Sequence, residues 1–220
     1  MSKKAKQAPE EDELSIRFVN TVAWRLRNPT EERLGSPASL LGWLRRNRLL
    51  SPRELRALTT AWTTRPGEAA QLHRTALALR EAIYTLFLAR LERRRPPSAA
   101  QRLFSDILWR GPSDLTLDWK DGQLGWRAGA LPRQPLDLLR PIALSAAELM
   151  TGDRAHKIRQ CQDDRGCGWL FVDESRLQNR RWCSMGDCGN IAKIHRHRLR
   201  QAAGRQRRPT AARAGAHRSG

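Results

Sequence analysis

The sequence has no long apolar run. Nothing in it approaches the roughly 18 apolar residues that a membrane span needs. Its N-terminus, MSKKAKQAPEEDE, lacks the apolar core of an export signal. The expectation is a cytoplasmic chain without a membrane partner. Also missing are a P-loop, a G-x-G-x-x-G turn, a nucleophile elbow and an H-E-x-x-H helix. Carboxylates such as Asp173 and Glu174 are scattered and form no catalytic pair, so the chain is not expected to be an enzyme. No internal repeat is present. Acidic residues are scarce, with 22 Asp+Glu against 41 Lys+Arg, a net charge of +19. Such an imbalance predicts an anionic partner, most often nucleic acid. The excess is uneven, since residues 154–220 hold 16 Lys+Arg against 5 Asp+Glu.

Cysteine is scarce as well, and all four fall in one stretch: Cys161, Cys167, Cys183 and Cys188, spaced C-x5-C-x15-C-x4-C. Two close pairs joined by such a loop suit one tetrahedral zinc. Two disulfides, four unrelated thiols, or an iron–sulfur or redox site are the alternatives, the disulfides weakened by the lack of an export signal. Gly166, Gly168, Gly186 and Gly189 flank the ligands, where turns often need positive φ. Four thiolates would fill a zinc shell, leaving no position for water and no hydrolytic role. His195 and His197 lie close by, but an H-x-H pair in an arginine-rich helix more often faces solvent or phosphate. Trp169–Val172 reads as a short β-like run packed on the site. Asp173 and Ser175 would cap the turn after it, and Trp182 would pack beside Cys183. A helix is expected over about 189–203. Ile191, Ile194, Ala202 and the Arg198 stem fall on one side, and Lys193, Arg196, His197 and Arg200 on another. Arg176, Arg180 and Arg181 would widen this basic, nucleic-acid-facing surface. Residues 204–220 read as a disordered basic tail that adds salt-sensitive affinity.

The N-terminal part reads as mainly helical. A flexible leader covers 1–13, and a helix fits Leu14 to about Arg27 through an apolar face of Ile16, Val19, Val22, Ala23 and Leu26. Ser36-Pro37 and Ser51-Pro52 open two more helices, with Leu40, Leu41, Trp43 and Leu44 buried in the first. Leu55, Leu58, Ala61 and Trp62 form the expected buried stripe of the second. The longest pattern runs over about 67–94, another helix fits Ser98–Trp109, and a hairpin turns at Asp121-Gly122. Pro135–Met150 is helical, with Pro141 kinking or restarting it. Asn20 and Thr21 sit among apolar positions. They are either an internally bonded pair or the polar groups of an effector pocket.

The run Cys167-Gly-Trp-Leu-Phe-Val-Asp-Glu-Ser-Arg176, followed by Arg180-Arg-Trp-Cys-Ser-Met-Gly-Asp-Cys-Gly-Asn190, resembles the CGNR zinc-finger family. Ile191 stands where that family has the arginine of its name. Leu177 and Asn179 stand where it often has Asn and Ser. Phe18-Val-Asn-Thr21 and Leu40-Leu-Gly-Trp-Leu44 resemble the ABATE domain that accompanies such fingers, with Arg17 in place of an Asp. The resemblance implies a mainly α fold with a small β-hairpin: a helical α+β domain over 14–152, then a treble-type four-cysteine zinc module over 153–203 ending in a basic helix. It implies one structural zinc held by the four cysteines. It also implies a bacterial, stress-responsive transcription regulator that binds duplex DNA, with an N-terminal domain that senses an unnamed effector or forms a homodimer. RNA or ribosome association, or a protein-interaction adaptor, are the alternatives.

Overall fold

The computed structural model describes residues 12–109, 116–120, 123–127 and 135–206, without the side chains of 116–127, 196, 199, 200 and 202–206. Most of the leader, the Asp121-Gly122 turn and most of the tail lie outside the described residues. The leader's last residue, Glu13, accepts a hydrogen bond from Arg154.

Helix α1 spans Leu14–Val19, and Val22–Ala23 form strand β1, paired antiparallel with β2 at Glu31–Glu32. The helix expected to reach Arg27 therefore stops eight residues short of it. Ile16, Val19, Val22 and Ala23 share helical spacing, yet they are buried from two different elements, and Leu26, expected on the same face, lies beyond β1 and is 61% exposed. The chain leaves the helix where Thr21 Oγ1 donates to the Phe18 carbonyl and Asn20 turns to distant backbone. Tertiary pairing thus overrides local periodicity here.

Helices α2 (Pro37–Arg46) and α3 (Pro52–Thr64) start as expected. Ser36 and Ser51 accept from the third helical N–H, the side chain at that position bonds back, and proline occupies the first turn. Leu40, Leu41, Trp43 and Leu44 of α2 are buried. The stripe expected of α3 is not: Leu55, Leu58, Ala61 and Trp62 are only half-buried, because α3 lies at the margin against α2 and α4.

Helix α4 (Pro66–Leu91) is the spine, touching α1, α2, α3, α5 and α6. Leu72, Ala76, Leu79, Ile83 and Phe87 recur at three- to four-residue steps and are buried. Helix α5 covers Ser98–Trp109, and β3 (Thr116–Lys120) pairs antiparallel with β4 (Gln123–Arg127). A 3-10 turn at Pro135–Leu139 runs into α6 (Arg140–Thr151). Pro141 restarts the helix there, since a first-turn residue needs no N–H partner.

Strand β5 (Ile158–Gln160) pairs antiparallel with β6 (Leu170–Val172). Alternation divides β6 between two cores. Leu170 and Val172 join the large helical core with Ile158, whereas Phe171, with Trp169 just before the strand, joins a small cluster around the cysteines. A turn at Met185–Gly189 then leads into α7 (Asn190–Gln206).

Candidate metal centre

Each pair of cysteines closes one knuckle. Cys161 follows β5, and its N–H donates to the Trp169 carbonyl at 2.7 Å, which brings Cys167 back beside it. The turn between them passes through Gly166 at φ +87° and ends at Gly168 at φ +63°, conformations that strain any residue with a Cβ. In the second knuckle the Gly189 N–H donates to the Ser184 carbonyl at 2.9 Å, placing Cys188 at the mouth of α7. A bond from Gln162 N–H to the Arg181 carbonyl, 2.9 Å, draws the knuckles together. The four sulfurs lie within 4.8 Å of one another, with 3.8 Å between Cys167 and Cys183 and 3.9 Å between Cys183 and Cys188. Four thiolates at about 2.3 Å from a tetrahedral zinc stand about 3.8 Å apart. A disulfide needs about 2.05 Å, and none joins any two of the four cysteines, so the disulfide alternative is excluded.

The donors are buried, and their protons are shared unequally. Hydrogen bonding with Cys161, and then Cys167 and Cys188, pushes the Cys183 thiol up. The Cys188 thiol is pushed down to about 5, first by its bond with Cys161. Such crowding disfavours four separate thiolates and suits a divalent cation that replaces the protons. Zinc with four thiolates carries a formal charge of about −2. Arg165 faces that charge, with Nη2 3.8 Å from Cys188 Sγ and 3.7 Å from an Asp187 carboxylate oxygen. The guanidinium is held in place by the buried Asp163, at 3.0 and 2.6 Å.

The knuckles are also fastened to the helical body. Asn20 bonds both polar groups of Leu170: Nδ2 donates to its carbonyl at 2.8 Å and Oδ1 accepts from its N–H at 3.0 Å. The Trp169 indole donates to the Val22 carbonyl at 2.7 Å. The Arg25 and Leu26 N–H groups donate to the carbonyls of Cys167 and Gly166 at 3.0 and 3.1 Å. Tyr84, the one tyrosine of the chain, donates to the Gly168 carbonyl at 3.0 Å and accepts from Gln160 at 2.8 Å. A charged group lies behind this seam. Arg80 is buried and donates to Glu32, Glu81 and Thr21, while Arg25 spans Glu81 and the Tyr84 ring. Burial pushes the Glu32 carboxyl up, but the Arg80 guanidinium together with the backbone N–H groups of Leu34 and Arg33 more than offsets this and holds it below its ordinary value. Arg25 and Arg80 do the same to Glu81.

The sequence matches the ABATE family, described as "Putative stress-induced transcription regulator", over residues 12–153, and the CGNR zinc finger over residues 157–201. The chain belongs to the ABATE family. Among curated proteins, none matches it. The four-cysteine cluster of this ABATE chain is its single structural zinc site, held by Cys161, Cys167, Cys183 and Cys188. Among the described residues no helix is long and apolar enough to cross a membrane.

The remaining residues singled out by the sequence separate into two groups. Asn20 and Thr21 are buried and bonded within the chain, Thr21 donating to Phe18 and accepting from Arg80, so their polar atoms serve the fold. Arg180 is also occupied. Its guanidinium donates to the carbonyls of Trp182 and Cys183 and lies 4.7 Å from the Phe171 ring, so it holds the second knuckle. Asp173 accepts from Ser175 and from the Arg180 N–H, capping the turn as expected. The other group is exposed. Arg176, Lys193 and His197 reach solvent, His197 beside Gln201, and Arg181 lies over Trp182 with Nε donating to Gln162. The side chains of Arg196 and Arg200 lie outside the described residues. His195 Nδ1 pairs with Asp164 at 3.3 Å, away from the sulfurs. On the expected apolar side of α7, Ile191 is half-buried and Ile194 is 50% exposed. Sequence reasoning missed Arg25, Arg80, Tyr84 and Arg165. A charged residue at position 80, between Leu79 and Ile83 of the α4 stripe, was the available signal.

Proposed function

We propose that this ABATE–CGNR chain is a zinc-dependent, non-enzymatic regulator that acts in the cytoplasm by binding duplex DNA. In this reading α7 and the loop before Cys183 contact phosphates. The carrying observation is that a metal-anchored helix leaves Lys193, His195, His197 and Arg198 exposed on the most basic part of the chain. Cations held on a rigid element gain affinity by releasing counterions from DNA. Four cysteines in the zinc shell leave no site for a reacting water, which favours a structural metal over a catalytic one. The helical body would receive a signal or pair two copies, in keeping with the family description. The test is selection of bound duplexes from a pool of genomic fragments at moderate salt, with and without a zinc chelator. One recovered motif, lost on chelation, is expected. Uniform recovery that survives chelation would assign binding to the basic tail and overturn the reading.

A further inference from the structure

We propose that the loop Trp24–Arg27 of the helical body belongs to the DNA-contacting surface, with Arg27 as a phosphate contact placed there by the zinc knuckle. This rests on the DNA-binding reading above and adds a partner contact outside the CGNR finger.

The loop is built onto the knuckle. Two backbone bonds join Arg25 and Leu26 to Cys167 and Gly166. The knuckle glycines leave room for it, since a Cβ on Gly166 would meet Arg27 Cγ at 2.6 Å and one on Gly168 would meet Leu26 Cγ at 2.7 Å. Trp24 takes φ +57°, and the guanidiniums of Arg27 and Arg165 approach its ring at 5.1 and 5.2 Å. From Arg165 the surface continues to α7 in two ways. Arg165 itself reaches Asp187, and the neighbouring Asp164 meets His195. Arg27, the first knuckle and the first turns of α7 are therefore contiguous.

The cations of this patch are not equivalent. Arg25 is engaged by Glu81, and Arg165 is engaged by Asp163. Arg27 is exposed, and among the described residues no carboxylate pairs with it. Its ring contact orders the side chain without neutralising it. An ordered, unneutralised guanidinium beside the basic helix is what a phosphodiester recognises.

The test is a salt titration of the full-length, zinc-loaded protein on a fluorescein-labelled mixed-sequence duplex. Lys193→Ala reports on the helix, Arg27→Ala on the loop, and Arg56→Ala on α3 serves as the control for charge loss alone. Lys193→Ala and Arg27→Ala are each expected to lower the slope of log affinity against log salt by about 0.9, the value for one phosphate contact. Arg27→Lys should keep the slope, which separates lost charge from lost packing on Trp24, and Arg56→Ala should match the wild type. A slope changed by Lys193→Ala but not by Arg27→Ala overturns the loop contact and leaves the DNA reading standing. Failure of the wild type to bind, indifference to Lys193→Ala, or displacement of the duplex by equimolar structured RNA overturns both.

Discussion

In the helical body, one face of α4 buries Leu72, Ala76, Leu79, Ile83 and Phe87 against neighbouring helices. In the zinc module, the buried cluster around the metal ligands holds Trp169, Phe171 and Ala23 besides the four cysteines, with Trp24 and Trp182 half-buried against it, and Ala23 and Trp24 are lent by the body. The body can hold itself by removing apolar surface from water, at about 1.5–3 kcal/mol for each large side chain. The module is too small to do so. It replaces area with coordination and with polar fastenings to its neighbour: the Asn20 clamp, the Trp169 indole and the Tyr84 hydroxyl. The contrast teaches that the CGNR finger is one wall of a composite. Its β6 strand faces the helical core on one side and the metal on the other.

The largest effect expected from breaking this contrast is loss of the metal. Zinc contributes an apparent 10–16 kcal/mol, roughly, in zinc-finger peptides. Chelation or Cys183→Ser should speed amide exchange through 158–172 and 183–198 while α4 amides stay protected. Equal loss of protection in α4 would show that the two regions do not differ in the way described. Next, Phe87→Ala should lower body stability by about 3–5 kcal/mol in urea unfolding and leave zinc transfer to a chelator nearly unchanged. At the seam, Asn20→Ala strands two buried backbone groups of Leu170 and should cost about 1–3 kcal/mol. It alone should both lower the urea midpoint and hasten zinc transfer. The smallest effect is expected from acid. Glu32 is held below its ordinary value of 4.5 by Arg80. Its contribution is thus present above that pH and fades as pH falls through the folded value. The difference in urea midpoint between wild type and Glu32→Gln should be widest near neutrality, shrink as pH falls below 4.5, and close once pH passes below the folded value. A difference that stays constant would remove Glu32 from the buried charge group.

The features legible in the sequence were those written locally. The cysteine spacing, the two serine-proline helix starts and the period of α4 each depend on residues a few positions apart, and each appears in the structure. What was not legible depends on partners far along the chain. Val22 and Ala23 fit a helix by spacing, and only pairing with Glu31 and Glu32, together with the Trp169 indole, makes them a strand. Arg176, Arg180 and Arg181 look alike as letters. Only the fold turns Arg180 inward to the carbonyls of its own knuckle. The half-buried stripe of α3 has the composition of a core helix, and its place at the margin is set by where α2 and α4 meet.

The Asn20 clamp also bears on how the chain is made. Its partner, Leu170, lies 150 residues further on. At about 5–20 residues per second, the ribosome needs roughly 8–30 s to bridge that interval. During this time the first helix has emerged without the hairpin that covers it, and β1 waits without Trp169. The helical body can collapse early on its local α4 contacts, but its last wall arrives with the cysteines. Zinc capture then follows the synthesis of the helical body, and it fixes Leu170 and Trp169, to which Asn20 and Val22 bond.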